Sequence, residues 1–496
     1  APVETEYGRK RQIDQSSCNK DYTCVDGFCP SFVSLEGEIR IKKNYDENLI
    51  NKINSKIEEP ILPEINKSYG IMIAGIGGTG VVTIGAVLAT AAQIDGRGSG
   101  VLDMTGLAQK GGAVKSFLRI FEKPEDVGAI RLSYGDTNLL LGFDLLVSND
   151  LEIIKTLDKK ISKLIINTDE VMPGDFTRDK DFYLPFEEMR NNLINIAGLE
   201  NIKFISSNKI TSKILGNSIL SNMFNVGVAY QSGLIPISAS SIEKAIELNG
   251  ASVKDNIDAF RFGRHYENLK EEVINIVKDE PEILESFDAK YQNRFKFLED
   301  YQNKKYAQNY EDLVSYAKKV DKEVGNGSQF STAVLKNYFK LMAYKDEYEV
   351  SRLMTNKKFS DDINKNFEGN FSYNFYLAPP IFSKKSKVDG KLLKIKFGGW
   401  LFNVFKLISK FKFLRGTKFD PFGYLNERKK ERELIRDYKQ TIVDIGSKIN
   451  KSNYETAVKI ASIPDQIRGF GHVKEKNIKE AINNRTDLLN SFHENS

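Results

Sequence analysis

The spacing of apolar and polar residues divides the chain into four stretches. Between positions 36 and 41 (EGEIRI) the two kinds alternate, which predicts a half-buried strand. Residues 46–66 are rich in Asn, Lys and Glu, carry Pro60 and Pro63, and have the composition of a linker. From 67 to 250, short apolar runs alternate with longer runs of helical period. Residues 69–74 (YGIMIA) predict a buried strand and 81–94 the helix after it. Residues 101–103, 143–148, 163–167 and 203–206 predict further strands, with helices over 149–158, 211–231 and 239–249. Strands alternating with helices imply an α/β domain with a mainly parallel sheet. Beyond 250 the pattern becomes long amphipathic helices, such as 291–320 and 427–449, broken by an extended Pro- and Gly-marked stretch over 373–399.

The domains expected are therefore 1–45, 46–66, 67–250 and 251–496. The fold class is a Rossmann-like α/β domain, preceded by a short cysteine segment and followed by a mostly helical α+β domain.

One turn in the α/β stretch carries candidate chemistry. Gly75-Ile-Gly77-Gly78-Thr-Gly80 follows a strand and opens a helix. Glycines there permit a tight turn and let backbone N–H groups approach a phosphate at the helix N-terminus. Asp103 stands near where a ribose-binding carboxylate sits in a dinucleotide fold. An NAD(P)- or flavin-dependent dehydrogenase is one reading, and a tight turn with no ligand is another. A second loop over 103–114 places Lys110, Gly111 and Gly112 together, which makes a surface for backbone approach to a ligand or another domain.

Composition narrows the remaining classes. Charged residues make up 28% of the chain, and 72 basic side chains nearly balance 67 acidic ones, so a dedicated nucleic-acid protein is disfavoured. No apolar run nears the roughly 18–20 residues of a membrane span. The N-terminus has neither an initiator Met nor the apolar core of a signal peptide, so the sequence reads as starting partway through a longer protein. All three cysteines, Cys18, Cys24 and Cys29, fall within twelve residues. A secreted disulfide framework would spread them, so a reducing, cytoplasmic setting and a metal are expected. The spacing is C-x2-D-x2-C-x4-C-P, and Asp21 stands where a ferredoxin-type segment has a cysteine. Cys18, Asp21, Cys24 and Cys29 are thus candidate ligands of an iron–sulfur cluster, with a zinc-stabilised, non-enzymatic scaffold as the alternative. His265, His472 and His493 are far apart and read as surface or packed imidazoles. Residues 391–418 are basic and amphipathic, with Leu401, Val404, Phe405, Ile408 and Phe411 on one helical face.

The cysteine stretch 14–32, the glycine turn, the 104–112 loop (MTGLAQKGG), and the runs 340–348 (KLMAYKDEY), 414–428 (LRGTKFDPFGYLNER) and 467–473 (IRGFGHV) occur in this order. Together they resemble the gamma domain and C-terminal part of fused indolepyruvate ferredoxin oxidoreductases, in the 2-oxoacid:ferredoxin oxidoreductase family. The resemblance implies oxidative decarboxylation of an arylpyruvate or related 2-oxoacid to its acyl-CoA, with CoA as co-substrate. Electrons would leave through a 4Fe-4S cluster to ferredoxin. Thiamine diphosphate and Mg would bind an N-terminal half, since no GDG motif with a following Asn occurs in this sequence. That half, ferredoxin and a homo-oligomeric full-length assembly are the partners implied.

Overall fold

In a computed structural model the described residues are 2, 3, 5, 7, 10, 11, 13, 21–26, 31–42, 47–106, 112–172, 182–278, 286–378 and 393–494. The chain forms two compact units, Ala1–Asn19 with Lys42–Pro281, and Lys20–Ile41 with Glu282–Ser496. Two short strands, β1 (Pro2–Val3) and β2 (Lys10–Arg11), pair antiparallel near the N-terminus. The next strand, β3 (Ser31–Ile41), belongs to the second unit.

The first unit is built on a six-stranded sheet of β4 (Ser68–Ile76), β5 (Gly98–Thr105), β6 (Ala113–Phe121), β7 (Leu139–Gly142), β8 (Lys163–Asn167) and β9 (Ile202–Ile205). Their spatial order is β5-β6-β4-β7-β8-β9. The pairs β4–β7, β7–β8 and β8–β9 are parallel, while β6 lies antiparallel between β4 and β5. The mainly parallel α/β sheet read from the sequence is present. Helices cover both faces, so the central strands are apolar on both sides. Ile71, Ile73, Leu139 and Leu141 pack one way with the helices Val81–Ile94 and Ser221–Gln231; Met72, Leu140, Leu164 and Ile166 pack the other way with Phe186–Ala197.

Several element boundaries differ from the sequence pattern, each for a local reason. The apolar run at 143–148 is a helix, Leu145–Ser148, because the Asp144 carboxylate caps it at the Val147 N–H (2.8 Å); the strand is Leu139–Gly142 before it. The helix expected over 149–158 shrinks to Leu151–Ile154, capped by Asp150. That over 211–231 splits into Ser207–Ile214 and Ser221–Gln231 around Gly216 and a short turn. The stretch taken as a linker carries a helix, Glu47–Ile53, whose Leu49 and Ile53 are buried. The change of texture at 251 is not a unit boundary. Helix Val253–Val277 crosses Ser221–Gln231 at a glycine pair, where a Cβ on Gly227 would run into the Phe260 carbonyl and one on Gly263 into the Phe224 carbonyl.

The second unit is mostly helical with one three-stranded antiparallel sheet. That sheet has the order β11-β10-β3, from β10 (Phe367–Leu377) and β11 (Ile395–Phe397). The alternating strand expected near 36–41 is longer, and over its eleven residues it pairs with β10. Phe375, Leu401 and Phe405 form the core on one sheet face, under the helix Leu401–Lys410. Of the five residues expected on that helix's apolar side, Leu401 and Phe405 are buried, Val404 and Ile408 half-buried, and Phe411, just past its end, is exposed.

Candidate functional site

The glycine turn joins β4 to the helix Val81–Ile94, at the carboxyl edge of the parallel strands where α/β folds place ligands. Gly75 is closely packed: a Cβ would stand 2.8 Å from a Val81 methyl and 3.2 Å from the Phe143 Cβ. Gly78 and Gly80 have φ of 85° and 92°, the left-handed region that favours glycine. The Gly80 carbonyl accepts the first helical N–H from Ile84 (3.2 Å), and the Asn222 side-chain amide donates to the Thr79 carbonyl (2.8 Å).

The second glycine loop is the tip joining β5 to β6. Gly77 N–H donates to the Gly112 carbonyl at 2.7 Å, so the two loops dock on each other. Lys110 and Gly111 lie outside the described residues. This contact occupies a backbone N–H that a dinucleotide pyrophosphate would need. Asp103 is not at a strand end but inside β5, opposite Ser116 of β6, whose hydroxyl donates to its carboxylate. The antiparallel β6 moves β5 one strand away from β4, and the ribose-binding position of a dinucleotide fold is not formed. The dehydrogenase reading therefore loses both of its residues.

Sequence reasoning missed a polar cluster at the same edge. Asn167, ending β8, donates through Nδ2 to the Phe143 carbonyl (3.1 Å) and accepts through Oδ1 from Ser207 N–H (3.1 Å) and Asp169 N–H (3.2 Å). The Ser207 hydroxyl donates to Asn225 Oδ1 at 2.9 Å. Asp169 accepts from the N–H groups of Asn208 (2.6 Å) and Lys209 (3.2 Å). Burial raises the Asp144 carboxyl above its ordinary range, opposed by the Val147 and Leu146 N–H groups; Asp169 is raised the same way, opposed by Lys209 and Asn208. Apart from the Ser207–Asn225 bond, these groups use their hydrogen bonds on the backbone, so the cluster fixes strand ends and helix starts. The available signal was an Asp or Asn just past each short apolar run.

In the cysteine segment, Asp21 and Cys24 are described, while Cys18 and Cys29 lie outside the described residues. Cys24 is exposed on the turn Thr23–Asp26. Asp21 Oδ1 accepts from both the N–H (3.1 Å) and the hydroxyl (3.0 Å) of Thr23, which holds the carboxylate over that turn. Among the described residues no three His, Cys, Asp or Glu side chains gather as a metal-binding group. The donor chemistry fits iron all the same, since thiolate and carboxylate both ligate it. On the adjoining sheet, Ser34 Oγ and Asn374 Nδ2 are buried and have no hydrogen-bond partner.

The histidines gather no site. His265 is buried, with Nε2 3.2 Å from the Ser55 carbonyl oxygen, and burial lowers its pKa. The ring of His493 lies beside Phe492, with centroids 5.7 Å apart. Nothing is described of the His472 side chain.

Two motifs of the second unit meet in a buried network. Arg415 forms a two-pronged pair with Asp346 (Nε–Oδ2 2.5 Å, Nη2–Oδ1 2.8 Å), and its guanidinium lies 3.6 Å from the centre of the Tyr301 ring. Asp420 accepts from Gly416 N–H (2.8 Å), Phe422 N–H (3.1 Å) and the Tyr348 hydroxyl (3.2 Å). Arg428 reaches Glu347 at 3.2 Å. The runs 340–348 and 414–428 are therefore one structural device. No helix among the described residues is long and apolar enough to cross a membrane.

Comparison with known proteins follows the two units. Residues 70–266 match the family described as Pyruvate ferredoxin/flavodoxin oxidoreductase, and residues 287–486 match a Family of unknown function (DUF6537). The Indolepyruvate oxidoreductase subunit IorB of Methanothermobacter thermautotrophicus is 27% identical over 200 residues, 40% of this chain and 96% of that protein. Its counterpart in Thermococcus kodakarensis is 26% identical over 199 residues, 40% of this chain and 95% of that one. Among solved structures, pyruvate oxidoreductase subunit PORC of Thermotoga maritima covers 40% of this chain and 96% of its own, with 20% identity and a TM-score of 0.30. The gamma subunit of keto/oxoacid ferredoxin oxidoreductase from Geobacter sulfurreducens covers 39% and 95%, with 21% identity and a TM-score of 0.27. Residues 70–266, which carry the two docked glycine loops, are thus similar in sequence to subunits of 2-oxoacid:ferredoxin oxidoreductases.

Proposed function

We propose that this chain is the gamma-bearing, electron-transferring part of an indolepyruvate-type 2-oxoacid:ferredoxin oxidoreductase, working with a thiamine diphosphate- and Mg-binding half. The observation that carries the reading is the match of residues 70–266 along almost the whole length of indolepyruvate oxidoreductase subunits. In the net reaction a 2-oxoacid anion and CoA thiol give acyl-CoA, carbon dioxide, one proton and two electrons. The electrons reduce two one-electron carriers of the ferredoxin type. A carrier that takes electrons singly calls for a conduit, and an iron–sulfur cluster supplies one when bound. Cys18, Cys24 and Cys29 would hold it, with Asp21 as the fourth ligand. The mutual docking of Gly77 and Gly112 supports a role for this edge in seating another domain.

The test is reconstitution in two steps. Anaerobically prepared chain contains iron and acid-labile sulfide, of order one cluster per chain. Stoichiometric zinc in their place sinks the cluster reading. The chain alone does not oxidise indolepyruvate, and adding a thiamine-binding half gives CoA-dependent reduction of viologen. Full activity from this chain by itself would place the catalytic centre elsewhere.

A further inference from the structure

Residues 390–419 carry seven lysines and Arg415 but no Asp or Glu, although 67 of the 496 residues of the chain are acidic. Arg415 is turned inward on Asp346, and Lys396 pairs with Glu36. Lys406, Lys410 and Lys418 are exposed, and no carboxylate among the described residues pairs with them. One side of the second unit therefore keeps uncompensated positive charge.

The same stretch exposes large apolar side chains. Trp400, Leu407 and Phe411 follow at intervals of seven and four, which sets them in one stripe of the helix Leu401–Lys410 and its flanks. Lys406 and Lys410 border that stripe, while Leu401 and Phe405 hold the other side of the helix in the core. The Phe413 ring lies 6.1 Å from that of Phe411, and beyond the next turn Phe419 is 81% exposed. The backbone under Phe419 is fixed from both sides. Asp420 accepts from the N–H groups of Gly416 and Phe422, and the Tyr424 hydroxyl donates to the Lys418 carbonyl at 2.7 Å. A ring left in water on a fixed backbone is preorganised to enter a pocket and loses little freedom in doing so.

Charge and packing narrow the occupant. A second copy of this face would bring lysines against lysines. A lipid surface takes the most apolar side of a helix, and here that side is already in the core. Apolar anchors bordered by cations suit a protein that presents an apolar spot within an acidic rim.

We propose that this face, with Leu407, Phe411 and Phe419 as anchors and Lys406, Lys410 and Lys418 around them, docks a small acidic protein that carries one electron at a time. That the partner is an electron carrier rests on the function proposed above; its acidic character rests on this face. Two carriers must come and go for each 2-oxoacid oxidised, so a small contact reached by charge steering and quickly left suits the task.

The experiment is calorimetric titration of the full chain with an oxidised acidic ferredoxin. Binding is expected at about 0.01 M salt and weakens toward about 0.1 M, as the Debye length falls from about 30 Å to about 10 Å. Lys406→Glu combined with Lys410→Glu weakens binding about tenfold at the lower salt and flattens the salt dependence, while arginine at both positions keeps it. Phe419→Ser weakens binding about tenfold at both salts, because its contribution is apolar. All these side chains are exposed, and circular dichroism checks that each variant is folded. No binding by the wild type at low salt, or equal binding by the folded variants, overturns the proposal. So does loss of binding to phosphatidylserine vesicles in these variants with ferredoxin binding kept, which would make the face a lipid contact. A chain that binds ferredoxin through these residues but holds no iron or sulfide sinks the cluster reading and leaves the docking face standing.

Discussion

The two units bury different chemistry. In the sheet unit the central strands bury mainly aliphatic side chains, Ile71, Ile73, Leu139, Leu141 and Ile165 among them, and the buried rings of Phe224, Tyr230, Phe260 and Phe262 sit on the helices Ser221–Gln231 and Val253–Val277. In the helical unit the largest are tyrosines with their hydroxyls committed. Tyr301 donates to the Tyr344 carbonyl (2.7 Å), Tyr310 to Leu335 (2.8 Å), and Tyr454 to the Asp321 carboxylate (2.7 Å). The Arg415–Asp346 pair is buried among them. An aliphatic core is held by non-directional burial and tolerates small shifts. A core of hydrogen-bonded rings and ion pairs specifies one arrangement and is costly when half broken.

The sharpest way to break this contrast is Arg415→Ala, which leaves the Asp346 carboxylate buried without its partner. Removing one member of a buried pair costs about 3–5 kcal/mol. Hydrogen exchange should rise in peptides from 287–486, with protection of β4, β7 and β8 retained. Arg415→Met combined with Asp346→Leu recovers most of the loss, because the burden is the unpaired charge. Equal loosening of both units in the single variant would mean that the network does not define the second unit.

The reverse experiment acts on the sheet unit. Gly227→Ala puts a methyl group against the Phe260 carbonyl where two helices cross. Overpacking of this kind costs about 1–3 kcal/mol. The loss should appear as faster exchange in Ser221–Gln231 and Val253–Val277, with residues 287–486 unaffected. A variant as stable as the wild type would show that the crossing can open to admit a methyl.

The same contrast explains what the sequence made legible. Periodicity reports burial, so the strands at 68–76 and 163–167, the helix 81–94 and the parallel class of the sheet could be read directly. It does not report pairing. Nothing local in residues 113–121 says that this strand runs antiparallel between β4 and β5, and this was the feature that removed the ribose position from Asp103. The pairing of Ser34 with Asn374 spans more than three hundred residues of chain and exists only in the β3–β10 register. The glycine turn was legible as a turn, because positive φ at Gly78 and Gly80 requires glycine. Its partner was not, because the Gly77–Gly112 hydrogen bond is made by backbone alone.

The smallest predicted effect tests whether the sheet unit also hides a titrating group that matters. His265 sits on Val253–Val277 with Nε2 toward the Ser55 carbonyl. Its pKa lies below the ordinary 6.5, first because burial disfavours the imidazolium and also because Arg264 is adjacent; the Ser55 carbonyl opposes both. Between the lowered folded value and 6.5 the unfolded chain binds more protons than the folded one. Stability contributed by this group therefore rises with pH across that window, and is lost as pH falls below 6.5. His265→Gln carries no titrating ring and keeps an amide able to donate to Ser55. The stability gap between wild type and variant, taken from urea midpoints at pH 7.5, 6.5 and 5.5, should close or reverse as the solution is acidified. Parallel profiles would mean that His265 titrates as freely in the folded chain as in the unfolded one, and that the contact with Ser55 is made by a ring water already reaches.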